Sequence, residues 1–436
     1  MLWRDTALQI STPSRFIPRF LLSPAHARRL LIGVCAALGL FAAPAHADPF
    51  QDVIALAEQG VPELALHIID QQQTSIDPLA SEWAAWEKAR ILIYQQRRDW
   101  VSVVRRTQAL PDNLRRTGRT SVARGEDAGS DPLMFTRWVL TQGAAAQLES
   151  GQGAAARAWL LRLIWQAAGV ESQLFAQWRR MVIHSYVVDG LVDDAYAALL
   201  RYQQDYAAAS TDAQTRLLQA YVLLLAGRAA EAAAILADTQ EPAAAALYLL
   251  ARLRSGGGRP ENILQEARQL LAQQPVTTSQ GLAAVVQAEA AQMIGDHERH
   301  VEAVEYVLAL YGDVTPSAFV GLFNITDDSV WDAYVAYAQV LSNQQQLLMG
   351  DFAPWFAMAQ SLAEEHPIRA RALFAFLAMR ADDAQGGASV AGGRMPGATT
   401  AETRVRAHQQ LVTLLGQLPQ GAALMRALYI KLDRFH

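Results

Sequence analysis

The chain has 436 residues, 52 % of them hydrophobic and 18 % charged, which is enough apolar content to bury a large core and excludes a disordered tail or a small stapled scaffold. A formal charge of −5 excludes the global basic field of nucleic-acid binders, and a single cysteine excludes both a disulfide framework and a cysteine-ligated zinc site. Alanine is over-used while aromatics make up only 8 %, a mixture that favours helix over strand.

The first 47 residues read as a signal peptide. Arg15, Arg19, Arg28 and Arg29 form a positive start, residues 30–43 form an apolar run, Pro44 breaks it, and Ala45-His46-Ala47 supplies the small residues a signal peptidase admits. The alternative, an uncleaved inner-membrane anchor, asks for about 20 apolar residues, and this run is shorter. The leader carries five arginines and one aspartate, so the chain from Asp48 onward is at −9 and holds no cysteine. These features predict export to a bacterial periplasm, with no stable membrane insertion after leader cleavage and no nucleic-acid partner.

From Asp48 the apolar spacing is helical, as in Ile54, Ala57, Val61, Leu64, Ala65 and Ile68, and no segment alternates long enough to argue a strand. Helix pairs recur around turns expected at Gly60, Arg98, Gly151, Gly190, Gly227, Gly258 and Gly295. In the clearest copies Gly190 is followed by Ala195 and Leu199, and Gly227 by Ala232 and Leu236. The one long separation, from Arg98 to Gly151, contains the polar, Gly-rich stretch 111–131, which reads as an inserted loop. The Ala-rich stripe 229–237 contains Glu231 and is followed at once by Asp238, and it therefore reads as a close-packed helix interface, not as a membrane-seeking helix.

This grammar resembles the tetratricopeptide repeat, a 34-residue helix–turn–helix unit. The resemblance falls on Ile183, Tyr186, Gly190 and Ala195 in one copy and on Ala220, Leu223, Gly227 and Ala232 in another. The copies are divergent: Ile183 stands where the pattern has a small residue, and the period drifts above 34. The resemblance implies an all-α fold, an α-solenoid of stacked helical hairpins over residues 48–312, because one hairpin cannot bury both apolar faces alone.

Residues 313–436 are expected to form a less regular helical C-terminal region. Asp327-Asp328-Ser329 offers N-caps for a helix through Trp331, Tyr334, Tyr337 and Leu341, further helices are expected near 354–365, 367–381, 401–415 and 420–435, and a Gly-rich loop occupies 385–400.

No motif nominates catalysis. His297-Glu298-Arg299-His300 lacks the His-Glu-x-x-His spacing of zinc proteases, and both histidines are expected on the wet outer face of a helix. Glu171-Ser172 is similar to the catalytic pair of soluble lytic transglycosylases, whose helical domains the chain also resembles in composition, but the Gly-Leu-Met-Gln sequel of those enzymes is missing here. Asp193-Asp194 and Asp382-Asp383 read as helix-start or loop acids. The chain is therefore expected to be no enzyme, with no cofactor and no metal.

What remains is a surface. Arginine pairs at 97–98, 105–106, 115–116 and 179–180 accompany Trp83, Trp86, Trp138, Trp159, Trp165 and Trp178, which are concentrated in the first half of the chain. Most of these are expected to fill interfaces or sit on solvated faces. Trp178 and Arg179 are the candidates for lining a concave groove that binds a partner, with arginine gripping carboxylates and tryptophan as anchor. The resulting expectation is a non-catalytic periplasmic scaffold that binds envelope proteins in bacterial cell-envelope assembly. The alternative is a factor associated with peptidoglycan or polysaccharide that assists a separate lytic enzyme.

Overall fold

The computed structural model describes residues 49–77, 81–110, 132–166, 170, 172–206, 212–239, 242–272, 278–311, 320–323, 325–347, 352–379 and 401–418, with 421, 422, 424, 425 and 428 beyond them. The leader 1–47, the loop 111–131, the Gly-rich stretch 385–400, Glu171 and Asp382-Asp383 lie outside the described residues. Every regular element among the described residues is a helix and none is a strand, so the protein is all-α. No described helix is long and apolar enough to cross a membrane.

Two compact units divide the chain, one ending at Ser150 and the other beginning at Gly151. The first contains α1 (Pro49–Glu58), α2 (Pro62–Gln73), α3 (Ser81–Gln96), α4 (100–110) and α5 (Pro132–Glu149). Helix α3 is buried on two sides. Trp86, Ala89 and Ile93 pack with Val53, Ala65 and Ile69, while Ile91 packs with Val103, Phe135 and Val139. Between these apolar clusters lies Glu87, fully enclosed. Arg106 grips it bidentately at 2.5 and 2.8 Å, and Gln73 donates to it at 3.0 Å. A buried carboxylate is tolerated only with such saturation, so this cluster ties α2, α3 and α4 together.

The second unit contains α6 (Gly153–Trp165), α7 (Ser172–Val188), α8 (Val192–Asp205), α9 (Ala213–Leu225), α10 (Ala229–Leu236), α11 (Pro242–Arg254), α12 (Pro260–Ala272), α13 (Thr278–Ile294), α14 (His297–Tyr311), α15 (Asp327–Gln344), α16 (Ala353–Leu362), α17 (Pro367–Met379) and α18 (Ala401–Gly416). Most of its packing joins helices one or two places apart in the chain.

One turn recurs in both units. At Gly190, with φ +74°, the amide bonds Val187 O at 2.9 Å, and the next amide, of Leu191, bonds Tyr186 O at 2.9 Å. This pair of bonds satisfies the last carbonyls of one helix, and Leu191 at once becomes the N-cap of the next. The same two bonds close the turns at Gly60, Arg98, Gly227, Gly256, Gly295 and Gln346. Arg98, with φ +57°, takes the left-handed position that glycine fills elsewhere.

Five residues after Gly60, Arg98, Gly151, Gly190 and Gly227 stand Ala65, Val103, Ala156, Ala195 and Ala232, all at 0 % exposure, and nine after them stand Ile69, Thr107, Leu160, Leu199 and Leu236, at no more than 1 %. The turn thus fixes which face of the second helix is buried. One turn differs from the sequence expectation: the left-handed residue is Gly256, not Gly258. The reversal occurs two residues early in the Gly256-Gly257-Gly258 run, yet Ile263 and Ala267 keep the packing register counted from Gly258, both at 0 % exposure. A longer turn absorbs the difference.

The helices on either side of Gly312 share one core, in which Ala288, Val301, Val304 and Leu308 pack with Trp331, Tyr334, Trp355, Phe374, Phe376, Leu411 and Leu428. The N-cap of α15 is Thr326, one residue before the expected aspartates, in a capping box with Ser329. Segment 320–323 returns to much earlier helices. Tyr221 on α9 donates to Val320 O at 2.5 Å, and Arg254 on α11 donates to the Leu322 carbonyl.

Candidate functional site

The expected groove residues have unequal positions. Trp178 is fully buried inside α7 packing, so in this fold its indole is a core group that presents no surface to a partner. Arg179 is partly exposed and pairs with Asp205 at 3.0 Å. The other arginine pairs are spent largely on the protein itself: Arg97 pairs with Glu63 at 2.7 Å, Arg106 holds Glu87, and buried Arg180 donates to Tyr202 Oη at 2.9 Å and Asp212 at 3.3 Å. Among the tryptophans Trp165, at the end of α6, is 85 % exposed.

The structure brings other residues together. A cavity of about 440 Å³ lies among α13, α14, α15, Phe323 and Ile325. That volume is within the range of small-molecule sites. Val285, Ala288, Val304, Phe323, Ala333 and Ala336 give it apolar walls, and Glu289, Gln292, His297, His300, Ser329 and Asp332 give it polar ones. Among the lining residues there is no lysine or arginine.

Each polar wall residue has a structural reason for its place. Gly295 ends α13 and lets α14 begin two residues later, so His297 and His300 enter one turn apart on the face toward α15. His297 stacks on Tyr337 of α15, with ring centroids 6.2 Å apart and an interplanar angle of 14°. His300 Nδ1 lies 2.9 Å from Ala288 O. A carbonyl only accepts, so the neutral ring carries its proton on Nδ1 and presents Nε2 as an acceptor. Burial lowers the His300 pKa, the bond to Ala288 opposes this, and the neighbouring His297 lowers it further, so His300 is neutral at pH 7.

Glu289 is held by Arg254 through bonds of 3.1 and 2.5 Å, and the same guanidinium fixes Leu322 at the start of the wall segment. Asp332 is exposed at the mouth and has no ion-pair partner among the described residues.

Two charged triads brace the wall from behind. Glu305, Tyr334 and Arg371 are all buried; Arg371 donates to both carboxylate oxygens at 2.7 and 2.6 Å, and Tyr334 donates at 2.6 Å. One turn pair away on α14, Glu298 accepts from Tyr337 at 2.9 Å and from Arg369 at 3.1 and 3.0 Å. Burial pushes the Glu298 carboxyl up, but the bonds from Tyr337 and Arg369 outweigh it and hold it below the ordinary range. Burial and the same carboxylate push the Tyr337 phenol up to about 12.

The histidines are thus not on the wet outer face expected from their spacing. Phe323, Ile325 and α15 lie over that face, and a contact of the same segment spans 99 residues, from Tyr221 to Val320. The signal present in the sequence was the change from alanine to Trp331, Tyr334 and Tyr337 in α15, which cannot pack as closely as the preceding repeats. Among the described residues no group of three or more histidine, cysteine or carboxylate side chains is placed to hold a metal ion. No family model matches the chain, and no curated protein matches it in sequence.

Proposed function

We propose that the protein is a non-catalytic periplasmic scaffold of tetratricopeptide type, an α-solenoid that binds a segment of an envelope protein during bacterial cell-envelope assembly. The observation that carries this reading is the recurrence of one turn with the same two backbone bonds, followed at Gly60, Arg98, Gly190 and Gly227 by buried residues five and nine places on. Such a unit leaves an apolar face that only a neighbouring unit covers, which is the physical basis of solenoid stacking. The partner is held at the cavity of α13–α15 rather than at Trp178, with Arg179 as a secondary polar contact. Periplasmic location rests on the leader and on the cysteine-free chain that follows it.

The test is crosslinking in cells followed by mass spectrometry of what is retained. Recovery of one envelope protein in fixed proportion supports the reading, and recovery of none contradicts it. Purified sacculi provide the second arm: retention of the protein on sacculi with no other protein present would replace the scaffold reading by a peptidoglycan-binding one.

A further inference from the structure

The cavity of α13–α15 has a chemistry of its own. Its walls combine an apolar floor with hydrogen-bond acceptors and negative charge. Asp332 stands unpaired at the mouth, Glu289 keeps lone pairs beyond those used by Arg254, and His300 Nε2 has no hydrogen-bond partner among the described residues. No lysine or arginine is among the lining residues. Arg254 compensates Glu289, but an anionic occupant would still meet Asp332 with like charge and would be disfavoured. A purely apolar occupant would fill the floor but strip water from Asp332 and from His300 Nε2 without replacing its bonds, which is costly.

A cation on an aliphatic stem answers both requirements. Its methylenes lie along Val285, Val304, Ala333 and Ala336, and its N–H groups meet the acceptors. Phe323 adds an aromatic face of the kind that attracts ammonium and guanidinium groups. We infer that this cavity binds an alkyl ammonium or alkyl guanidinium group, with Asp332 as its counter-ion and His300 Nε2 as its second acceptor. The group is supplied either by a lysine or arginine side chain of a bound protein segment or by a free aliphatic amine. The inference deepens the scaffold reading and rests on it for the identity of the cavity as the binding place.

Calorimetric titration of the purified chain with capped single residues tests this without a partner protein. The probes are N-acetyl-arginine N-methylamide, N-acetyl-lysine N-methylamide, their neutral relatives built on citrulline and norleucine, and 1,5-diaminopentane. The cationic probes are expected to bind at least tenfold more tightly than the neutral ones at low salt, and Asp332→Asn to weaken the cationic probes about tenfold while leaving the neutral ones unchanged. Asp332 is exposed, so this variant keeps the fold; His300→Gln, which retains an acceptor, should bind within about threefold of the parent.

Tighter binding of the capped residues than of the diamine marks a protein side chain as the source, and the reverse order marks a free amine. Equal binding of arginine and citrulline probes, no binding of any cationic probe, or an unaltered response in Asp332→Asn overturns the inference. If the cationic probes fail while crosslinking in cells still captures an envelope protein, the scaffold reading survives and the cavity assignment falls. If the probes bind and no protein is captured, the reverse holds.

Discussion

Helices α9 and α10 pack together and bury Ala220, Ala229 and Ala232. Helices α14 and α15 meet through Trp331, Tyr334 and Tyr337, enclose Glu305 with Arg371, and leave a cavity beside His297 and His300. The contrast is one of side-chain size. Alanine lets two backbones approach closely and fills the gap completely, at the highest helix propensity. Large aromatics hold the helices apart, and the space they cannot fill becomes either a polar network or a pocket. A close-packed repeat supports; a loosely spaced one can bind.

The sharpest way to break the second region is to leave its buried arginine alone. Glu305→Ala strips Arg371 of both its bonds in a fully enclosed position, and is expected to cost about 3–5 kcal/mol in urea unfolding. A change below 1 kcal/mol would mean that Arg371 finds water or another acceptor. Close in size is a lesion in the helix core away from the cavity. Trp178→Ala, at a site with 0 % exposure, should cost about 3–5 kcal/mol by cavity formation, measured by the same denaturation. If it instead abolishes partner binding at unchanged stability, the tryptophan is a contact residue after all.

A smaller effect is expected at the shared turn. A side chain at Gly190 meets open space, so Gly190→Ala costs only the left-handed backbone conformation, about 1–2 kcal/mol. Thermal melting checks this, and no loss would contradict the role assigned to the turn.

Acidification reaches the cavity more gently. The folded His300 pKa lies below the ordinary value of 6.5, so the unfolded chain takes up a proton that the folded chain refuses as pH falls through that value. Stability drops from there until the folded pKa is passed. Glu298 is also depressed, and its loss begins only below the ordinary carboxylate value of 4.5. Comparing urea midpoints of the parent and His300→Gln between pH 7.5 and 5.5 reads the His300 contribution, and the variant should show the shallower decline. An equal decline in the variant contradicts the assignment.

How much of this was legible in the sequence differs between the two regions for the same reason. Gly190 with Ala195 and Leu199, or Gly227 with Ala232 and Leu236, are local patterns, because a turn and the face it buries lie within ten residues. Arg98 was readable as a turn from its position between two helices even without glycine. Within three consecutive glycines the local pattern cannot say which one reverses the chain, and the register counted from Gly258 concealed a reversal at Gly256. The cavity was not legible because its closing contacts are long-range: Arg254 with Leu322, Tyr221 with Val320, Glu298 with Arg369. Histidines three residues apart look the same in sequence whether solvent or a distant segment covers them.

The most direct measurement places a photo-crosslinking residue at Gln292, on the cavity wall, and at Gln108, exposed on α4, and compares the adducts formed in living cells. The account predicts that Gln292 captures one envelope protein and that Gln108 captures none. No adduct at Gln292, or the same adducts from both positions, would contradict it.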